Sequence, residues 1–143
     1  LARYNADGSP DATFDGDGKV VTPTSGNANE AANAVAIQAD GKIVAAGYSV
    51  LQMALVRYNL DGSLDTSFSG DGKVYTTIYP NGATQARAAL IEPNGKIVVA
   101  GNATKGGGID EDFVWARYNA DGTPATDLGT FGYVVTNPFD QTD

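Results

Sequence analysis

"RYNADGSPDATFDGDGKVVT", residues 3–22, is the stretch on which the fold turns. Its middle is turn chemistry, with aspartates set among glycines, and it ends in the strand-like "KVVT" (19–22). It returns without a gap as "RYNLDGSLDTSFSGDGKVYT" at 57–76, and more loosely as "RYNADGTPATDLGTFGYVVT" at 117–136. A second block recurs with it: "ANAVAIQADGKIVAAG" at 32–47 and "ARAALIEPNGKIVVAG" at 86–101. The chain is therefore a tandem repeat, whose second unit gains six residues in "NATKGGGIDEDFVWA" (102–116).

Each unit reads as four short strands. The first is "KVVT" (19–22) or "KVYT" (73–76), and the second is "NAVAIQ" (33–38) or "RAALIE" (87–92). The third is "KIVAAG" (42–47) or "KIVVAG" (96–101), and the fourth is "MALVRYN" (53–59) or "FVWARYN" (113–119). "ADG" and "PNG" between the second and third strands are a two-residue hairpin signal, because Asp-Gly and Asn-Gly tolerate positive φ. The Ala-rich piece 28–36 could be helical on propensity, but its counterpart leads straight into the same hairpin, so it is read as a strand. The third strand is a continuous apolar run, which implies burial on both faces between neighbouring sheets. The link after the fourth strand keeps its length in all three copies. It reads as the crossover from one blade to the next.

The expected fold is all-β, a β-propeller-like repeat of four-stranded antiparallel blades. Two full blades are expected, with a lone strand at each end. The units run 1–18 (the end of a preceding unit and its link), 19–72, 73–132 with the insertion, and 133–143 (the first strand of a further unit). Residues 1–143 form one repeat domain or a fragment of one. Leu1 opens inside a unit, so the chain reads as a processed or excised piece.

The pattern "RYN-x-DGS-x-D-x-x-F-x-x-DGKV … A-x-A-x-x-DGKI-V-x-AG" resembles the delta-sixty repeat family, tandem propeller-like modules of bacterial secreted and surface proteins. The resemblance implies a fold and a secreted or cell-surface location, and it implies no reaction. The third copy departs from the pattern. Asp11 and Asp65 become Ala125, Phe14 and Phe68 become Leu128, and Asp17 and Asp71 become Phe131.

The 143 residues hold no cysteine and no histidine, so disulfides, thiolate metal sites and the commonest general base are absent. A net charge of −8 disfavours nucleic acid and anionic membranes, and no apolar run is long enough to cross a bilayer. Two carboxylates suffice for glycoside cleavage. Here, however, every acid in the links sits in repeated turn chemistry, whereas a catalytic pair should be singular. No enzyme is expected.

Asp7, Asp11, Asp15 and Asp17, with Asp61, Asp65 and Asp71, offer the alternating oxygens that calcium takes. The competing reading, which we favour, is a structural bend: Asp and Asn accept backbone hydrogen bonds and Gly takes positive φ. No cofactor is then expected, with calcium as the alternative. Phe14 and Phe68 read as plugs that tuck the links onto the blades. Arg3, Arg57 and Arg117 read as bridges to link aspartates rather than an anion-binding ring, with Tyr4, Tyr58 and Tyr118 packed between sheets. The insertion carries Lys105, Asp110, Glu111 and Asp112, either a partner-binding loop or a tolerated solvent loop. Trp115 after it reads as packing. Asn102-Ala-Thr104 fits a glycosylation sequon and is discounted in a bacterial-looking chain.

The expected function is an extracellular or cell-surface structural and interaction module, non-catalytic and self-assembling through its unclosed ends. Its partners would be itself, further repeats of a longer chain, another protein or a glycan, with no nucleic acid and no membrane insertion. The alternative is a calcium- or carbohydrate-binding propeller module.

Overall fold

The computed structural model describes residues 1–24, 29–106, 111–129 and 131–137. Eight strands follow in chain order: β1 (Glu30–Ile37), β2 (Ile43–Ser49), β3 (Gln52–Tyr58), β4 (Lys73–Thr76), β5 (Thr84–Ile91), β6 (Ile97–Thr104), β7 (Glu111–Tyr118) and β8 (Tyr133–Thr136). They make two antiparallel four-stranded sheets, β1-β2-β3-β4 and β5-β6-β7-β8. The described residues contain no helix. The Ala-rich segment pairs as β1, because its hairpin register with β2 runs from Glu30↔Ser49 to Ile37↔Ile43.

The hairpin loops differ from the expected two-residue form. Gln38 and Glu92 donate their N–H groups to the carbonyls of Lys42 and Lys96, which closes loops of three residues. Gly41 (φ 83°) and Gly95 (φ 84°) take the left-handed third position, the usual three-residue solution.

Strand membership corrects the expected lone strands. β4 pairs with β3 of the unit before it (Met53↔Thr76, Val56↔Lys73), so "KVYT" completes the preceding sheet. Tyr133–Thr136 is not a lone strand, since it is the fourth strand of the second sheet through Phe113↔Thr136 and Ala116↔Tyr133. The N-terminal strand is not alone either. Ala2 bridges Lys19, and Leu1 and Val20 exchange backbone hydrogen bonds. Residues 1–22 thus repeat the arrangement of β3, its link and β4 through a single bridge.

The physical reason is that the link doubles back instead of crossing over. Tyr58 bridges Leu64, and the Arg57 N–H reaches the Gly72 carbonyl at 2.9 Å, which lays β4 beside β3. The passage between sheets is the shorter segment 77–83 that joins β4 to β5.

The sheets pack face to face. Val44, Ala46, Met53, Leu55 and Val74 of the first sheet meet Ile97, Val99, Val114, Ala116 and Tyr118 of the second in one buried cluster. Each Val, Leu or Met sealed there contributes roughly 1.5–3 kcal/mol. Small residues such as Ala46 and Ala116 allow the close approach. Polar bonds fix the register, including Asn33 Nδ2 to the Ala86 carbonyl at 2.8 Å. A second cluster (Phe14, Ile43, Ala45, Val56, Tyr58) joins residues 1–22 to the opposite face of the first sheet.

Candidate functional site: a ladder of links and a bare sheet face

The three links (5–18, 59–72, 119–132) stack along the repeat direction. Each begins as a local turn. Asp61 Oδ1 accepts from the Ser63 N–H at 3.0 Å and the Ser63 hydroxyl at 2.6 Å, and Asn59 Nδ2 donates to Ser63 Oγ at 3.0 Å. Asp7 with Ser9, and Asp121 with Thr123, repeat the arrangement. Hydroxyl and amide donors therefore hold Asp7, Asp61 and Asp121 below the usual carboxylate range.

An arginine then ties each link to the next. Arg57 Nε donates to Asp65 Oδ2 at 2.7 Å, its Nη2 to Ser67 Oγ at 3.2 Å, and its Nη1 to the Ala120 carbonyl in the third link. Its guanidinium lies 4.6 Å from the centroid of the Phe68 ring, which is fully buried. Arg3 repeats this with Asp11, Thr13, the Leu60 carbonyl and Phe14. The N–H groups of Asp15 and Ser69 reach the Asp61 and Asp121 carbonyls at 2.7 and 2.8 Å. Gly62 and Gly122 make the approach possible. A Cβ there would lie 2.9 Å from the Asp15 nitrogen and 2.8 Å from the Phe68 ring.

Six of the seven aspartates read as possible calcium ligands, all but Asp15, accept hydrogen bonds within their own turns. Asp11 is held low by Thr13 and Arg3. Burial pushes Asp65 up, but Lys42 Nζ at 2.8 Å, Ser67 and Arg57 outweigh it and hold the carboxyl far below its ordinary range. Asp17 and Asp71 each accept the N–H two residues on, from Lys19 and Lys73. Asp15 is exposed and enters the ladder through its backbone. No three acids converge as a metal site among the described residues. The opening stretch is a bend locked by its own arginine.

The insertion places its residues differently from one another. Glu111 is exposed at the start of β7, and Lys105 lies 5.6 Å from the centroid of the Tyr79 ring. Asp110 lies outside the described residues. Asp112 is only 2% exposed and accepts the Tyr79 hydroxyl at 2.5 Å, so it is not offered to a partner. It occupies the place of Gln52, which is half-buried. Burial and that acid push the Tyr79 phenol up to about 12.

The outer face of the second sheet was not anticipated as a site. Phe113 (66% exposed), Trp115 (51%), Val134 (44%) and Leu90 (53%) stand open to solvent. Phe113, Trp115 and Val134, with Val98 and Ala100, border a shallow apolar depression. The repeat gives the reason. Phe113 and Trp115 match Met53 and Leu55, and Val134 matches Val74, all of which the second sheet covers. Trp115, expected to be packed, is exposed because no described residue plays that covering part. Aligning β3 with β7 and asking which face each letter occupies would have revealed the surface.

No curated protein matches the chain. Residues 1–14, 38–68 and 92–124, more than half of the chain, match the family described as "Domain of unknown function (DUF5122) beta-propeller". Two four-stranded antiparallel sheets are consistent with blade-like repeats, and the chain belongs to this β-propeller family.

Proposed function

We propose that the chain is a non-catalytic structural and interaction module of an extracellular or cell-surface protein, and that the bare face of the second sheet is its interaction surface. One observation carries the reading: Phe113, Trp115 and Val134 are exposed at positions whose repeat equivalents are buried between sheets. Monomeric soluble proteins rarely leave contiguous large apolar side chains open without an interaction to serve. The likeness of the repeat to delta-sixty modules supports a secreted or surface setting in a bacterium. The spending of the link carboxylates on turns and arginines supports a structural rather than catalytic use. A glycan suits the face less well than a sheet does, because Thr136 and the indole of Trp115 bring the only side-chain polar groups bordering the depression and sugar recognition needs several placed polar groups.

Repeat arrays gain stability from each neighbour interface. A chain extended by a further copy of residues 77–136 should therefore unfold at higher urea. Trp115, the only tryptophan, should shift its emission to the blue once it is covered. An unchanged midpoint with unchanged emission would overturn the reading.

A further inference from the structure

The geometry points to the occupant of this face: a second copy of the chain, docked head to tail so that the interface between copies repeats the one inside each copy. This rests on the reading of the face as an interaction surface and adds the partner and the register.

The two ends of the stack are complementary, residue by residue. At the head, Tyr4 is 58% exposed and Val21 is 92% exposed. Their equivalents are engaged with the preceding sheet. The Tyr58 hydroxyl donates to Thr22 Oγ1 at 2.9 Å, and Tyr118 and Thr76 share a hydrogen bond at 2.6 Å. Tyr75 and Val135, in the place of Val21, likewise pack backward, Tyr75 by donating to the Thr24 carbonyl at 2.9 Å. At the tail, Thr136 stands where Thr22 and Thr76 receive a tyrosine, so it is the seat for Tyr4 of another copy.

The links give the same answer independently. Arg3 and Arg57 each place Nη1 on a carbonyl of the following link, Leu60 and Ala120. Arg117 is the third in the series, and among the described residues its Nη1 meets no carbonyl of a following link and leans on Glu92 Oε1 at 3.6 Å instead. The matching carbonyl, that of Ala6, lies in the exposed first link. Gly62 and Gly122 are pressed by the link before them, whereas a Cβ on Gly8 would meet nothing within 4 Å. That empty seat is where Leu128 and Gly129 of another copy would rest. Head and tail are different surfaces, so the contact is heterologous and builds rings or chains rather than closed pairs.

The test uses two full-length variants. Tyr4→Asp blocks the head and keeps Trp115. Trp115→Glu blocks the tail and leaves that chain without tryptophan. Light scattering should show wild type growing in mass with concentration and each variant alone staying monomeric. Mixed, the variants should form a one-to-one dimer, because one sound tail meets one sound head. The emission, which comes solely from the Tyr4→Asp chain, should shift to the blue. Circular dichroism checks that both variants remain folded.

Three results would overturn the inference: a wild type that stays monomeric, a Tyr4→Asp chain that still associates, or a mixture that does not pair. Association that needs Trp115 but ignores Tyr4 would mean a face-to-face pair, and the surface reading would survive. A monomeric wild type whose extended form is nonetheless stabilised would also retire only the self-docking. A monomeric wild type with no gain on extension would retire both.

Discussion

Around Arg57 the second link closes on itself. Nε meets Asp65 at 2.7 Å, Nη2 meets Ser67 at 3.2 Å, and the guanidinium covers Phe68, all within a buried site. Around Arg117 the third link keeps the same turn, with Asp121 accepting from Thr123 and Asn119 Nδ2 donating to the Thr123 hydroxyl at 2.9 Å. It has lost the plug. Ala125 stands for Asp65, Leu128 is half-buried where Phe68 is sealed, and Arg117 leans instead on Asp127 at 3.0 Å and Glu92 at 3.6 Å. The turn is local chemistry and survives without a neighbour. The Arg-Asp-Phe plug is tertiary chemistry. It is complete where a following link supplies a carbonyl and a glycine seat.

The comparison breaks most visibly at the plug. Phe68→Ala should cost about 3–5 kcal/mol, as for a large side chain removed from a sealed core. Leu128→Ala should cost about 1 kcal/mol, because half of that side chain already meets water. Urea denaturation of the two variants measures the gap, and equal losses would mean that the links are equivalent after all. Next comes Asp65→Ala, which strands the buried Arg57 guanidinium and should cost about 3 kcal/mol.

The second prediction carries a sign in pH. The folded pKa of Asp65 is depressed, so its contribution is complete above the ordinary value of 3.8 and fades as pH falls from there toward the lower folded value. The stability difference between wild type and Asp65→Ala should therefore be flat near neutrality and narrow in acid. A difference that stays constant through acid would assign the loss to packing instead of charge.

These contrasts also mark what the sequence could reveal. The hairpins were legible because "ADGK" and "PNGK" combine a turn with flanking apolar runs. The arginine bridges and phenylalanine plugs were legible because they recur at fixed spacing. The phase of the sheets was not. "KVYT" can pair with the strand before or after it, and its choice depends on the link doubling back, which is a matter of backbone hydrogen bonds such as Arg57 N–H to Gly72 O. Tyr4, Tyr58 and Tyr118 share one motif yet differ from 58% exposed to 4% and 2%, since burial is set by the neighbouring sheet and not by the letters nearby. Asp112 looked like part of a solvent-facing acidic run. The strand carries it inward instead, to the Tyr79 hydroxyl.

The smallest effect is the most instructive, because it tries to restore the lost plug. Ala125 is buried where Asp11 and Asp65 serve their arginines, and Arg117 Nε lacks an acceptor there. Ala125→Asp alone should change stability little. Asp127 occupies the place of Ser67, so the new carboxylate would meet a like charge where Asp65 meets a hydroxyl. Adding Asp127→Ser removes that charge and supplies the hydroxyl. It also frees Lys96, now on Asp127 at 2.5 Å, to do what its counterpart Lys42 does for Asp65. The partly exposed Lys96–Asp127 and Arg117–Asp127 pairs given up are worth at most about 1 kcal/mol each. The charged hydrogen bonds gained are worth about 1.5–3 kcal/mol before desolvation. The double variant should therefore be at least as stable as wild type in urea. If it is not, the guanidinium in the last link is waiting for the backbone of a neighbouring link and not for a carboxylate of its own.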